Sequence, residues 1–152
     1  MFKKNANDRL SEWFEFRKSL DHLENPIEAV AEFWYSAPRI MHNHKIDPYN
    51  FKSWPTPWEM IVDNRYDDFS LALMIGYTLK LSNKFKDHTI QVRTMVDKSQ
   101  NKLYNLVFVN DEAVLNYSNS VVNANDIDEN LYLDNLVEID QTRCVSSSTN
   151  HY

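Results

Sequence analysis

The chain has 152 residues, 43% of them hydrophobic and 13% aromatic, with a formal net charge of −6. That is enough for one domain with a sizeable core, too apolar for a disordered chain, and too acidic for a general nucleic-acid binder. No apolar run approaches the ~20 residues that span a bilayer, and Met1-Phe2-Lys3-Lys4-Asn5 lacks the apolar stretch of a signal peptide.

The expectation is therefore a protein made and kept in a cytoplasm, or packaged into an assembly built there, with no membrane or nucleic-acid partner. The single cysteine, Cys144, cannot form an internal disulfide. The single glycine, Gly76, excludes Gly-rich phosphate loops and dinucleotide fingerprints. No cofactor is expected. Asparagine is abundant and can take the left-handed positions that glycine normally fills.

In chain order, Leu10, Trp13, Phe16 or Arg17, Leu20 and Leu23 recur at helical spacing and predict a first helix over 9–23. Asn25-Pro26-Ile27-Glu28 reads as a capped start. Asn25 would accept from the N3 amide, Pro26 suits the first helical position, and Glu28 would reach back to the cap. Ile27, Val30, Ala31 and Trp34 form the buried stripe of that second helix, which Pro38 ends. Residues 41–53 are a linker or an ordered loop. Thr56-Pro57-Trp58-Glu59 repeats the cap grammar.

Asn64-Arg65-Tyr66-Asp67 opens a further helix over about 66–81, with Asp67 favourable at its positive end. This helix is apolar nearly all round and so is predicted to be central. Gly76 within it marks the close approach of another backbone.

The period then changes. Ile90, Val92, Thr94 and Val96 alternate with Gln91, Arg93 and Met95, which reads as a strand. Residues 98–101 are a turn and 103–109 a second, more central strand. Asn110-Asp111 is a tight hairpin turn, and 113–117 is a third strand antiparallel to the second. A polar loop over 123–130 precedes an edge strand over 133–139. Helices first and an antiparallel sheet second give an α+β fold: N-terminal helices and a buried central helix packed on a small sheet. One domain over 1–142 and a frayed tail over 143–152 are expected.

Charge is uneven along the chain. Lys80, Lys84, Lys86, Arg93, Lys98 and Lys102 fall in one stretch, whereas 111–140 holds eight acids and no Lys or Arg. These are either two opposed faces that dock charged partners or ordinary solvated surfaces.

Trp54-Pro55-Thr56-Pro57, Tyr66-Asp67-Asp68-Phe69, the strand from Leu103-Tyr104-Asn105 and Val114-Leu115-Asn116 together resemble the core of transglutaminase-like (papain-like) cysteine enzymes. The resemblance covers residues 54–117. In that family a nucleophile at the start of a buried helix faces a hairpin that carries histidine and an acid. The helix end lowers the thiol pKa, and the sheet presents the imidazole.

The resemblance implies that Tyr66 stands for the cysteine, Tyr104 or Asn105 for the histidine, and Asn116 for the aspartate. A phenol with a pKa near ~10 and no base beside it is a poor nucleophile. The implied protein is thus a non-catalytic descendant. The hydroxyl of Tyr66 is expected beside the 103–105 strand, with Asn105 or Asn116 as its partner. Phe33-Trp34, Asp47-Pro48-Tyr49-Asn50 and Trp54–Glu59 are also similar to small proteins of tailed bacteriophages.

Other clusters bear two readings each. His42, His44 and Asp47 could act in a metal-dependent hydrolase or be loop residues beside prolines. Asp126, Asp128 and Glu129 could meet a partner, but lack the glycine and the bidentate Glu of a calcium loop. Asp67-Asp68 reads better as helix capping than as a paired-carboxylate site. Trp54 and Trp58, with Tyr49 and Phe51, could form an exposed aromatic platform or staple a loop to the core.

No metal site is expected. The function expected is that of a non-enzymatic structural or interaction protein, a phage virion or assembly component whose partners are other protein subunits. A small metal hydrolase and an acidic regulator that binds a host protein are the alternatives.

Overall fold

The computed structural model describes residues 1–140. The expected tail over 143–152, with Cys144, lies outside them. The fold is α+β, four α-helices followed by a five-stranded antiparallel sheet.

Helix α1 spans Ala6–Ser19, earlier than its predicted bounds, because Asn5 caps it by accepting from the Asp8 amide. Leu23, predicted on its buried stripe, falls beyond the helix and is exposed. Helix α2 spans Pro26–Tyr35. The predicted capping box at its start is not made. Asn25 sits at φ −122°, ψ 72°, which turns its side chain off the helix end, and only its carbonyl accepts, from Ala29. Proline at the first position and the buried Val30 and Trp34 hold this start instead.

Helix α3, Pro57–Asp63, carries both bonds of the predicted box between Thr56 and Glu59. Helix α4 runs Asp68–Lys80 from the N-cap Asp67, and every residue from 69 to 79 is buried.

The segment over 41–53 is an ordered loop. Its start is strapped to the chain entering α4: Tyr66 donates to the Pro38 carbonyl at 3.1 Å and accepts from the Ile40 amide at 2.9 Å. The buried Asn43 donates to the Asp67 carboxylate at 3.0 Å.

The strands are β1 (Ile90–Asp97), β2 (Lys102–Val109), β3 (Ala113–Leu115), β4 (Val122–Asn123) and β5 (Tyr132–Ile139), in the order β4-β3-β2-β1-β5. The predicted edge strand is β5, one residue longer than expected, and the predicted polar loop begins on the last residue of β4 and holds a short 3-10 turn. The third strand ends at Leu115, two residues short of its predicted end, because Asn116 turns to φ 68°.

One sheet face packs Ile90, Val92, Val107, Val109, Val137 and Ile139 into the main core with α4. The other buries Leu106, Phe108 and Val114 under Tyr117, Val122 and Ile127. Helix α4 thus has helices on one side and sheet on the other, which is why it lacks a polar face.

Asparagine does replace glycine. The residues of positive φ are Asn64, which closes α3, Asn101, Asn110, Asp111 and Asn116. Asn110 and Asp111 both being left-handed is the turn that matches strand twist. Gly76 marks a close approach of side chains rather than of backbone. A Cβ there would stand 3.1 Å from Ile139 Cγ1 and 3.5 Å from Ile90 Cγ2.

One buried hydroxyl ties three helices. Thr78 Oγ1 accepts from the indole of Trp13 at 3.0 Å and that of Trp34 at 2.9 Å, and donates to the Met74 carbonyl at 2.6 Å.

The packing sets a first expected result. Leu73→Ala should cost about 2–5 kcal/mol and Phe69→Ala a similar amount, since both side chains are buried on a helix with no wet side. Thermal unfolding within a degree or so of wild type for both would show that α4 is not the centre of the core.

Candidate functional site

The start of α4 meets the sheet through Asp68, not through Tyr66. Asp67 is the cap, its Oδ1 accepting from the Ser70 amide at 2.8 Å. Asp68, the next residue, points about 100° away round the helix and reaches the sheet. Its Oδ2 accepts from Asn105 Nδ2 of β2 at 2.9 Å, and its Oδ1 from Asn116 Nδ2 at 3.3 Å.

The two amides are themselves held. Thr94 of β1 donates to Asn105 Oδ1 at 2.8 Å, and Asn116 also donates to the Asn105 carbonyl at 2.9 Å. The left-handed turn at Asn116 is what aims its amide at both acceptors. Arg39, from the strapped loop, lies 3.7 Å from Asp68 Oδ1, with both side chains about half exposed. His42 Nδ1 is 3.9 Å from Asp67 Oδ2.

This cluster forms the floor of a cleft of about 720 Å³, whose walls include Tyr35, Met41, Tyr49, Leu103, Tyr104 and Asp134. Within the cluster Asp68 is the shared acceptor of both amides. The amides of Asn105 and Asn116 neither take nor give up a proton near neutral pH. Among the described residues, no hydroxyl lining the cleft is hydrogen-bonded to an imidazole, the pairing that activates a serine or threonine.

Of the residues singled out in the sequence, Asn105 and Asn116 come together here. Tyr66 does not, and its expected partnership with either amide is corrected. Its backbone is strapped to Pro38 and Ile40, which sends the ring into the helical core against Phe2 and Trp34. The hydroxyl donates to the Met60 carbonyl at 3.3 Å. Burial pushes this phenol far above its ordinary range, the charge of Asp63 adding to the shift and that of Arg9 opposing it. Tyr104 turns away from Asp68 and lies 5.5 Å from the ring of Tyr117, with Lys102 Nζ 4.6 Å over its face.

The remaining candidates separate. Trp54 and Trp58 are half-buried staples. Trp54 packs on Phe69 and donates to the Asp47 carbonyl, and Trp58 packs on Trp13. The two tryptophans thus staple the loop, while Tyr49 and Phe51 of the same aromatic group stay exposed. His42 and His44 meet edge to face, but the Asp47 carboxylate accepts from the Tyr49 amide within its own turn. The three do not converge on one point. Asp126, Asp128 and Glu129 are exposed on the loop over the outer sheet face.

The two charged stretches meet at one point, where Arg93 pairs with Asp111 at 2.7 Å, and the lysines fall before and after β1 in the chain.

Asp68 was weighed in the sequence only as half of a carboxylate pair and read there as capping, whereas Arg39 was not visible as a site residue. The signal for Asp68 was a second acid directly after a sufficient N-cap. Arg39 had none, since it is brought in by the strap between 38–40 and 66. Among the described residues no helix is long and apolar enough to cross a membrane. Compared with known protein families, with curated proteins and with solved structures, the chain matches none.

Proposed function

We propose that this is a non-enzymatic interaction protein, a structural or assembly component of a tailed-bacteriophage particle, built on a transglutaminase-like core that no longer carries catalytic groups. The observation that carries the reading is the closed set Asp68–Asn105–Asn116. A helix start, a strand and a strand end converge there, in the order in which the family it resembles presents nucleophile, imidazole and acid. The three residues supply a carboxylate and two amides, which bind donors and acceptors but do not form an activated nucleophile. The phage assignment rests on the sequence likeness at Asp47–Asn50 and Trp54–Glu59.

The test is to rebuild the set. Asp68→Cys, Asn105→His and Asn116→Asp are combined in a Cys144→Ser background. A thiol at the first turn of α4 beside an imidazole should be alkylated by iodoacetamide at pH 6.5 about tenfold faster than in Asp68→Cys alone. Equal rates in the two variants would end the kinship. For the native chain, incubation with p-nitrophenyl acetate and with a glutamine peptide plus an amine should give no turnover above that of Asp68→Asn. Turnover that the substitution removes would overturn the non-enzymatic reading. Virion structural genes beside the coding region support the assembly role, and their absence counts against it.

A further inference from the structure

We infer that the cleft at the head of α4 is a binding site for a neutral saccharide. Three observations converge. First, apolar side chains that a folded chain would normally cover are gathered on its rim: Tyr35, Met41, Tyr49 and Leu103 are 65%, 101%, 71% and 60% exposed, and all line it. The Tyr49 hydroxyl donates to Asp134 at 2.8 Å. That bond fixes the ring with its face free, so a flat apolar ligand face can stack without first ordering it.

Second, the floor presents planar polar groups with valence to spare. Asp68 is half exposed and keeps lone pairs beyond the two that the amides use. Arg39 offers a fork of donors beside it. The Oδ1 of Asn116 accepts from no protein donor among the described residues. Neighbouring acceptors and donors at this spacing match adjacent hydroxyls of a sugar ring.

Third, neither sign of charge dominates. Asp67, Asp68 and Asp134 face Arg39 and Lys102 around the same space. A phosphate or a polycation would meet as much repulsion as attraction. A ligand with apolar C–H faces, dense hydroxyls and no charge is a pyranose, and a cleft of about 720 Å³ accommodates a short oligosaccharide. The inference rests on the non-catalytic reading of the same cleft, in that the ligand is held and not converted.

The experiment titrates the isotope-labelled full chain with maltohexaose, cellohexaose and chitohexaose, following backbone amides by NMR. At least one sugar should saturate shifts confined to residue 35 and the 39–42, 48–49, 67–69, 102–105, 116–119 and 134 segments, with a Kd between about 10 μM and 1 mM. Tyr49→Ala and Arg39→Ala, both exposed side chains, should each weaken that binding about tenfold without altering the remaining spectrum. Absence of cleft shifts with all three sugars up to about 10 mM overturns the inference. So does tighter binding of inorganic phosphate or tetralysine in the same cleft, or a failure of both variants to weaken the sugar.

Chromatography of the sugars after incubation separates the two readings. Intact, bound sugar supports both. Cleaved sugar sinks the non-catalytic function while leaving the site in place, and intact, unbound sugar sinks only the saccharide.

Discussion

Thr78→Val should destabilise the protein by about 2–6 kcal/mol, although it changes neither volume nor shape appreciably. The substitution removes an acceptor shared by two buried indoles, Trp13 at 3.0 Å and Trp34 at 2.9 Å. Each N–H then stays desolvated without a partner, at about 1–3 kcal/mol apiece. The helix loses little, because the hydroxyl's own bond to the Met74 carbonyl competes with the helical ladder.

Thr78→Ser keeps the hydroxyl and should cost only about 1 kcal/mol for the lost methyl. Trp34→Phe in the Thr78→Val background should add less than it does in wild type, since the orphaned donor leaves with the indole. Urea midpoints at constant slope measure all of these. A Thr78→Val protein within about 0.5 kcal/mol of wild type would show that the three helices are held by packing alone.

Tyr66→Ala should cost about 3–5 kcal/mol, because a fully buried ring against Phe2 and Trp34 leaves a cavity in the helical layer. Tyr66→Phe should cost only about 0.5–1.5 kcal/mol, the worth of one ordinary hydrogen bond, here to the Met60 carbonyl at 3.3 Å.

The same residue predicts an alkaline limit. Burial raises its folded pKa above the ordinary 10.0, so the folded state keeps a proton that the unfolded state releases. The stabilisation is complete below about pH 10 and declines as pH climbs toward the folded value, by up to about 1.4 kcal/mol per pH unit. Tyr66→Phe should flatten that decline between pH 10 and 11.5. An identical alkaline profile in wild type and Tyr66→Phe would show that the phenol ionises freely and is not sealed.

Sequence reading failed at Tyr66 and succeeded a few residues away, and the difference has one cause. Caps and turns depend on residues within three or four positions of one another. Thr56 and Glu59 box the start of α3, Asp67 caps α4, and Asn110-Asp111 turns the hairpin, each as expected. The expectation at Asn25 failed because the backbone angle of a cap is set by what the helix packs on, not by the cap alone.

The destination of the Tyr66 ring is decided by a non-local strap, Pro38 and Ile40 pairing with its backbone. No periodicity around residue 66 records that. The head of α4 therefore falls at Asp68, two residues after the start expected at Tyr66.

From the sequence alone came the α+β class, the central place of α4, the strand order of the first hairpin and the use of asparagine for left-handed turns. All rest on local periodicity and local steric preference. Only the tertiary structure decided that Asp68, Asn105 and Asn116 share one point, that Arg39 and His42 approach it, and that Tyr35, Met41 and Tyr49 rim the cleft above. These residues are separated by up to 81 positions, from Tyr35 to Asn116. What brings them together is the burial of α4 between helices and sheet, which sets its head against the strand ends; the chemistry at that junction follows from where the core places the backbone and not from any motif along it.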